Sequence, residues 1–319
     1  MRFTTLTVFF FLLFLIQRTA AQQNNIWYFG EKAGISFNSA GSAIPYAVTD
    51  GVMVALEGCA SICDANGALL FYTNGETIYN RNHKVMTNGS GLKGHVSSAQ
   101  SALIVPQPGN DSIYFVFTGD SFEKKFVNGY NYTVVNMNLA NGDGAVTIKN
   151  VPLYAPGTER LTAARHANGS DVWVITNDYS SNVFRAWLVS CSGVLPDAVV
   201  STSGAVLNQY DAFNSGSMKV SPDGKLLCQT HFPDIENTDL QTFIQLFDFD
   251  NLTGVISNAR AIDVAGSSYY SAEFSPDSKL LYGAKAKVAE IDQFEVTLGS
   301  GPAIIASRIG IPTALNIYA

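Results

Sequence analysis

The sequence predicts an all-β fold of repeated four-stranded units, the layout of a β-propeller, and three observations carry that prediction. First, a nine-residue segment occurs almost unchanged at Lys219–Leu227 (KVSPDGKLL) and Glu273–Leu281 (EFSPDSKLL), 54 residues apart. Second, the same strand–turn–strand shape recurs upstream in other letters, at Cys59–Thr73, Ser101–Thr118 and Leu161–Thr176. Third, the second strand of each hairpin is a nearly continuous apolar run, such as Ile113–Phe117 (IYFVF) and Val172–Ile175 (VWVI). A strand buried on both faces reads that way, and no amphipathic helical stretch is present to do the covering, so sheets must cover sheets.

The turns have a local cause. Asp64–Gly67 (DANG), Pro108–Asp111 (PGND), Ala167–Ser170 (ANGS) and Pro222–Gly224 (PDG) hold the Asn-Gly, Asp-Gly and Pro positions that tight hairpins require. Aligned on these turns, one column reads Thr73, Thr118, Thr176, Thr230 and Ala284, in steps of 45, 58, 54 and 54 residues. A four-stranded unit at that period is a propeller blade, whereas β-sandwiches show no such repeat and β-helix rungs are shorter. Phe243–Phe249 before the turn Asp250–Gly254 supplies outer strands, and Asn25–Gly30 with Gly34–Asn38 adds an N-terminal hairpin. At roughly 50 residues per blade the expectation is about six blades, or an incomplete seven-bladed ring. The terminal Thr313–Ala319 (TALNIYA) reads as a strand opening a further unit, so a C-terminally truncated or imperfectly closed ring is expected.

The N-terminus predicts export. Met1-Arg2 is a positive start, Leu6–Ile16 (LTVFFFLLFLI) is an apolar run of eleven residues, and Thr19 and Ala21 are small residues before Gln22. That is the layout of a signal peptide over residues 1–21, and the run falls well short of the roughly twenty residues that span a bilayer. The propeller is then residues 22–319, with no later membrane span. Cleavage removes two arginines and no acid, taking the formal charge from −7 to −9. Nothing in so acidic a chain neutralises phosphates, which excludes a nucleic-acid partner.

Segments NNIWYFGEKAGISFN, EGCASICDANGALLFYTNG, SSAQSALIVPQPG and LTAARHANGSDVWVITND, with the two SPD hairpins, resemble the propeller region of large secreted surface proteins of gliding bacteria that use type IX export. The SPDGK hairpin and the DFDNLTG strand end are similar, more loosely, to YVTN-type and WD-repeat propellers. The likeness runs from about Asn24 to Ala284. It implies fold and compartment, secreted or at the cell surface with the periplasm as a second option, and it implies no activity.

Motifs for chemistry are sparse. Gly89–Gly94 (GSGLKG) fits G-x-G-x-x-G but lacks a strand–helix context, which points to a loop. His83, His95, His166 and His231 are scattered without metal-ligand spacing, and no G-x-S-x-G elbow occurs. Asp234, Glu236, Asp239, Asp248 and Asp250 could supply oxygen ligands to Ca²⁺ but lack the full loop pattern, so a solvated loop is expected. Cys59, Cys63, Cys191 and Cys228 sit in an oxidising compartment, where bridges are allowed. Cys59 and Cys63 on one strand would stand about 13 Å apart, against a Cα limit of about 7 Å for a disulfide. Buried thiols are expected, with Cys191–Cys228 as the alternative. The sequons at Asn88, Asn110, Asn131, Asn168 and Asn251, and the Asp111-Ser112-Ile113 O-glycosylation pattern, carry little weight.

One cluster stands out. Arg160, Arg165 and His166 flank one hairpin and Glu57 precedes another. If equivalent strand ends line the axis, they meet there, either as a buried ion pair or as a polar site. The resulting expectation is a non-catalytic binding or adhesion scaffold for a protein or glycan, with no cofactor, metal or catalytic residue assigned. The alternative is a propeller hydrolase or lyase, lactonase-like or glycan-cleaving, with its polar site at the central channel. Three or more ionisable groups converging at the channel mouth would favour that alternative.

Overall fold

The computed structural model describes residues 22–38, 44–206, 214–231, 243–264, 267–286 and 288–313. The expected signal peptide, the acids Asp234, Glu236 and Asp239, and Ala314–Ala319 lie outside them.

The described strands form five sheets. The first holds β1 (Ile26–Phe29), β2 (Ala33–Ser36) and β3 (Tyr46–Val48). Next come two consecutive meanders, β4 (Ala60–Cys63), β5 (Leu69–Thr73), β6 (Thr77–Asn80) and β7 (Val85–Ser90), then β8 (Ala102–Pro106), β9 (Ile113–Gly119), β10 (Tyr130–Asn136) and β11 (Ala145–Tyr154). A five-stranded sheet follows, with β12 (Leu161–Arg165), β13 (Val172–Asn177), β14 (Val183–Ser190), β15 (Gly193–Val194) and β16 (Val199–Thr202). The fourth is β17 (Met218–Val220), β18 (Leu226–Gln229), β19 (Ile244–Asp250) and β20 (Val255–Ile262). The last is β21 (Tyr269–Phe274), β22 (Leu280–Lys285), β23 (Glu290–Glu295) and β24 (Ile309–Pro312), with one short helix, α1 (Gly301–Ala306), before β24.

The expected six or seven blades are not formed. Four of the sheets carry four or more strands, because the outer strands β7 and β11 join two meanders into one eight-stranded sheet through the parallel pair Ala145 and Thr87. The N-terminal hairpin gains only a third strand. Hairpins recur in the sequence, but blades are separated at their outer strands, where the letters do not repeat.

The hairpin register is as the repeat predicts. Ala60 pairs with Thr73, Ala102 with Thr118, Leu161 with Thr176 and Ser271 with Ala284, while the Thr230 N–H donates to the Ser217 carbonyl at 2.8 Å. The turns at Asp64–Gly67, Ser221–Gly224 and Ser275–Ser278 therefore all join the first strand of a unit to its second. First strands lie against one another in chain order, β4 on β8, β8 on β12, β12 on β17 and β17 on β21, so they form the inner wall of a ring.

The continuous apolar runs divide by alternation. On β9, Tyr114 and Val116 pack with Phe71, Leu70 and Ile78 of the preceding meander, while Phe115 and Phe117 pack with Val174, Trp187 and Val189 of the following sheet. Trp173 and Ile175 then face Leu227 and Phe247, and Leu246 and Ile244 face Leu281 and Phe294. Each interface buries aromatic or branched side chains worth about 1.5–3 kcal/mol apiece, which is why both faces of these strands must be apolar.

Candidate functional site at one mouth of the ring

In this register, the chain entering each first strand arrives at the same end of the ring. Those entry segments carry Glu57, three residues before β4; His95, Ser97 and Gln100, before β8; and Glu159 and Arg160, directly before β12. Ser215 and Ser217 stand before β17, and Tyr270 lies at the start of β21. Glu123, in the loop after β9, reaches the same end.

Glu57 and Tyr270 join the first four-stranded unit to the last: the Tyr270 hydroxyl donates to the Glu57 carboxylate across 213 residues of chain. Burial raises the Glu57 carboxyl; the Tyr270 hydrogen bond and His95 oppose that, and Glu123 adds to it. Burial and the adjoining Glu57 charge, with Glu159 and Glu123 further off, push the Tyr270 phenol well up, so it stays protonated and donating. His95 Nδ1 is 3.8 Å from Glu123 and Nε2 is 4.0 Å from Glu76. The Glu123 side chain is about half exposed (51%) and accepts from the Ser97 hydroxyl. Burial acts to raise its carboxyl, but Ser97, its own backbone amide, Ser121 and His95 outweigh it and hold the group below the ordinary range.

Glu159 lies beneath, 2% exposed. Its two oxygens accept the Ala99 N–H at 3.0 Å and the Phe122 N–H at 3.1 Å, which staples the loops carrying Ser97 and Glu123. Burial pushes its carboxyl up to about 7; the two amides offset part of this and Glu57 reinforces it. Arg160 is deeper still. Its Nε donates to the Thr230 carbonyl at 2.8 Å, Nη1 to Asn177 at 3.1 Å, and Nη2 to the Ser215 carbonyl at 3.0 Å and His231 Nδ1 at 2.8 Å. Burial lowers it to about 10, which leaves it charged at neutral pH. Gln100 completes the floor, accepting from Leu161 and Met218 and donating to the Met218 carbonyl, so its amide ties β12 to β17.

The predicted cluster is thus split. Glu57 and Arg160 reach the mouth. Arg165 ends β12 and His166 opens the β12–β13 turn, both at the opposite end, because a strand carries the residues at its two ends to opposite rims. Sequence reasoning missed Glu123, Glu159 and Tyr270; the signal available for Glu159 was its place immediately before a repeat strand. His231 supports Arg160, and His83 packs near Tyr72 and Asp50, 3.4 Å from the latter. Gly89 and Ser90 end strand β7 and no helix follows. Asp248 binds Arg260 and Asn258, Asp250 closes its own turn on Leu252 and Thr253, and no metal-holding cluster occurs among the described residues. All four cysteines are free; Cys63 and Cys228 are buried as expected, whereas Cys59 is half-buried and Cys191 exposed.

No protein-family model and no curated protein matches the chain. Solved structures do. A putative 6-phosphogluconolactonase from Bacteroides fragilis is 12% identical with TM-score 0.50, over 92% of this chain and 80% of that one. The fold is a β-propeller. A functionally unknown protein from Desulfotomaculum acetoxidans (13% identity, 86% and 76% of the two chains, TM-score 0.48) and the hydrazine synthase of Kuenenia stuttgartiensis (11%, 96% and 91%, 0.48) also match. At such identities the likeness concerns the propeller alone. No described helix is long and apolar enough to cross a membrane.

Proposed function

We propose that this propeller is an exported, ligand-binding scaffold, mature from Gln22, that holds an amine-bearing group of a glycan or protein at the acidic mouth. Export rests on the N-terminal segment and on the resemblance to surface proteins of gliding bacteria. The observation that carries the reading is the half-exposed Glu123 beside Glu57, Tyr270 and His95. Glu123 keeps its charge and faces solvent, while Glu57 and the phenol offer further hydrogen bonds to an ammonium and its neighbouring hydroxyls. Glu159, with both oxygens on backbone amides, positions loops and does not face a ligand.

The test is calorimetric titration of the mature chain with a glucosamine oligomer at low salt. Saturable binding is expected, weakening with added salt. Loss of one charge-assisted hydrogen bond in Glu123→Gln removes about 1.5–3 kcal/mol, or roughly tenfold or more in affinity. Unchanged affinity in that variant would refute the assignment.

A second reading, acid–base cleavage of a glycan or lactone, is favoured by one observation: the ionisable groups Glu57, Glu123, His95 and Tyr270 converge at the mouth, which meets the criterion drawn from the sequence, and burial raises the Glu57 carboxyl. Hydrolysis of the oligomer or of an aldonolactone, abolished in Glu57→Gln, would replace the binding reading with this one.

A further inference from the structure

At the other end of the ring a cavity of about 400 Å³ opens between the first strands of two adjacent sheets, β12 and β17. That volume suits a small molecule. The strands can part there because Ala163 and Ala164 offer only methyl groups to the gap, opposite Val220 and Pro222.

The wall is built from both sheets. The Asn251 carbonyl accepts the Trp173 indole N–H at 2.9 Å and the Ala167 N–H at 3.0 Å, which fixes the turn of one sheet against the other. The His166 ring lies 5.5 Å from the Trp173 ring, and its Nδ1 accepts the Asn168 N–H at 2.9 Å. The imidazole proton is thereby placed on Nε2, a donor without a partner among the described residues. Arg165, also lining the cavity, is exposed and has no carboxylate or carbonyl partner among the described residues. Across from these donors is Asp223. Its Oδ1 accepts the Ser221 hydroxyl at 2.6 Å and the Lys225 N–H at 3.2 Å, while Oδ2 is 3.9 Å from the Lys225 ammonium.

We propose that this cavity is a second ligand site, for a small organic carboxylate that carries hydrogen-bond donors at its far end. The carboxylate pairs with the Arg165 guanidinium, whose planar fork matches it, and takes the His166 Nε2–H. The far hydroxyl or ammonium groups donate to Asp223. The site shares no residue with the acidic mouth and does not rest on the function proposed for it.

Calorimetry on the mature chain tests this with three probes: galacturonate, whose far donors are hydroxyls; glutamine, whose far donors are nitrogen-borne; and methyl galactoside, which lacks the carboxylate. Saturable binding is expected for at least one of the two acids and none for the neutral sugar. Arg165→Ala, a surface change that leaves the core intact, should weaken the binding at least about tenfold. Glu123→Gln should leave it unchanged, which separates this site from the mouth. Failure of both acids to bind, equal binding of methyl galactoside, or full affinity in Arg165→Ala would overturn the proposal.

Discussion

Glu159 shows how one side chain can serve the mouth without facing it. Its carboxyl is buried, accepts two loop amides and is pushed up to about 7, against an ordinary value of 4.5. Protonation is therefore easier in the folded chain than in the unfolded one across that interval. A raised carboxyl contributes stability that is fully present below the unfolded value and is lost as pH rises through the folded value. The stability of the wild-type chain should accordingly fall between pH 4.5 and about 7. In Glu159→Gln this part of the slope should disappear, as chemical denaturation at a series of pH values would show. An equal slope in both proteins would mean that another group sets it. Only part of this site was readable in advance. Glu57 and Arg160 could be flagged because they adjoin recognisable hairpins, whereas Glu123 and Tyr270 reach the mouth through a loop and a strand start whose letters repeat nowhere. Arg165 and His166 were misplaced because sequence proximity to Arg160 does not say which rim a residue occupies; five residues of strand are enough to carry it across.

The hairpin is the element in which sequence and structure agree most closely, and the agreement has a hydrogen-bond basis. In one turn the Ser221 hydroxyl donates to Asp223 at 2.6 Å and accepts the Leu226 N–H at 2.9 Å. In the other, Ser275 donates to Asp277 at 2.6 Å and accepts the Leu280 N–H at 2.9 Å. Ser-Pro-Asp is thus a closed local network, and both serines are buried. The fourth turn position differs. Gly224 has φ +71° and Ser278 has φ +62°, where a serine is strained; its hydroxyl accepts the Asp223 N–H at 3.0 Å, linking the two turns. Replacing Ser221 or Ser275 with alanine orphans a leucine amide, at a cost of about 1–3 kcal/mol. The two costs should be of similar size, since each serine donates to the turn aspartate and accepts the leucine N–H at the same distances. Denaturant midpoints of the two variants measure this. A neutral effect in either would show that its turn is held by the flanking strands alone.

At the scale of the molecule, the count of sheets was the least legible feature, because it depends on where outer strands stop pairing. The fusion at β7 and β11 and the third strand of the N-terminal sheet leave no repeat in the letters. That first sheet is attached differently from the rest. It lacks the hairpin repeat and docks on the first meander through one aromatic cluster: Tyr28 stacks on Tyr72 at 4.5 Å between ring centroids, and Tyr72 stacks on Tyr79 at 5.3 Å. The Tyr28 hydroxyl donates to Asp50 at 2.7 Å, and its backbone N–H donates to Ser61 at 2.9 Å. On the opposite face, Trp27 and Phe29 remain 49% and 42% exposed, so among the described residues nothing comparable holds the sheet from that side. The five following units, by contrast, share four apolar cores between neighbours, each built from residues of several strands. Tyr28→Ala removes a buried ring and leaves a cavity, at a cost of about 3–5 kcal/mol, and that cost should fall on one local unit and not on the whole ring. Hydrogen exchange should then show amides of Ile26–Phe29 and Ala33–Ser36 losing protection while those of Val172–Asn177 and Ile244–Asp250 keep theirs. Uniform loss of protection across all sheets would instead mean that the N-terminal sheet and the ring unfold as one, with the aromatic cluster acting as a clasp for the entire molecule.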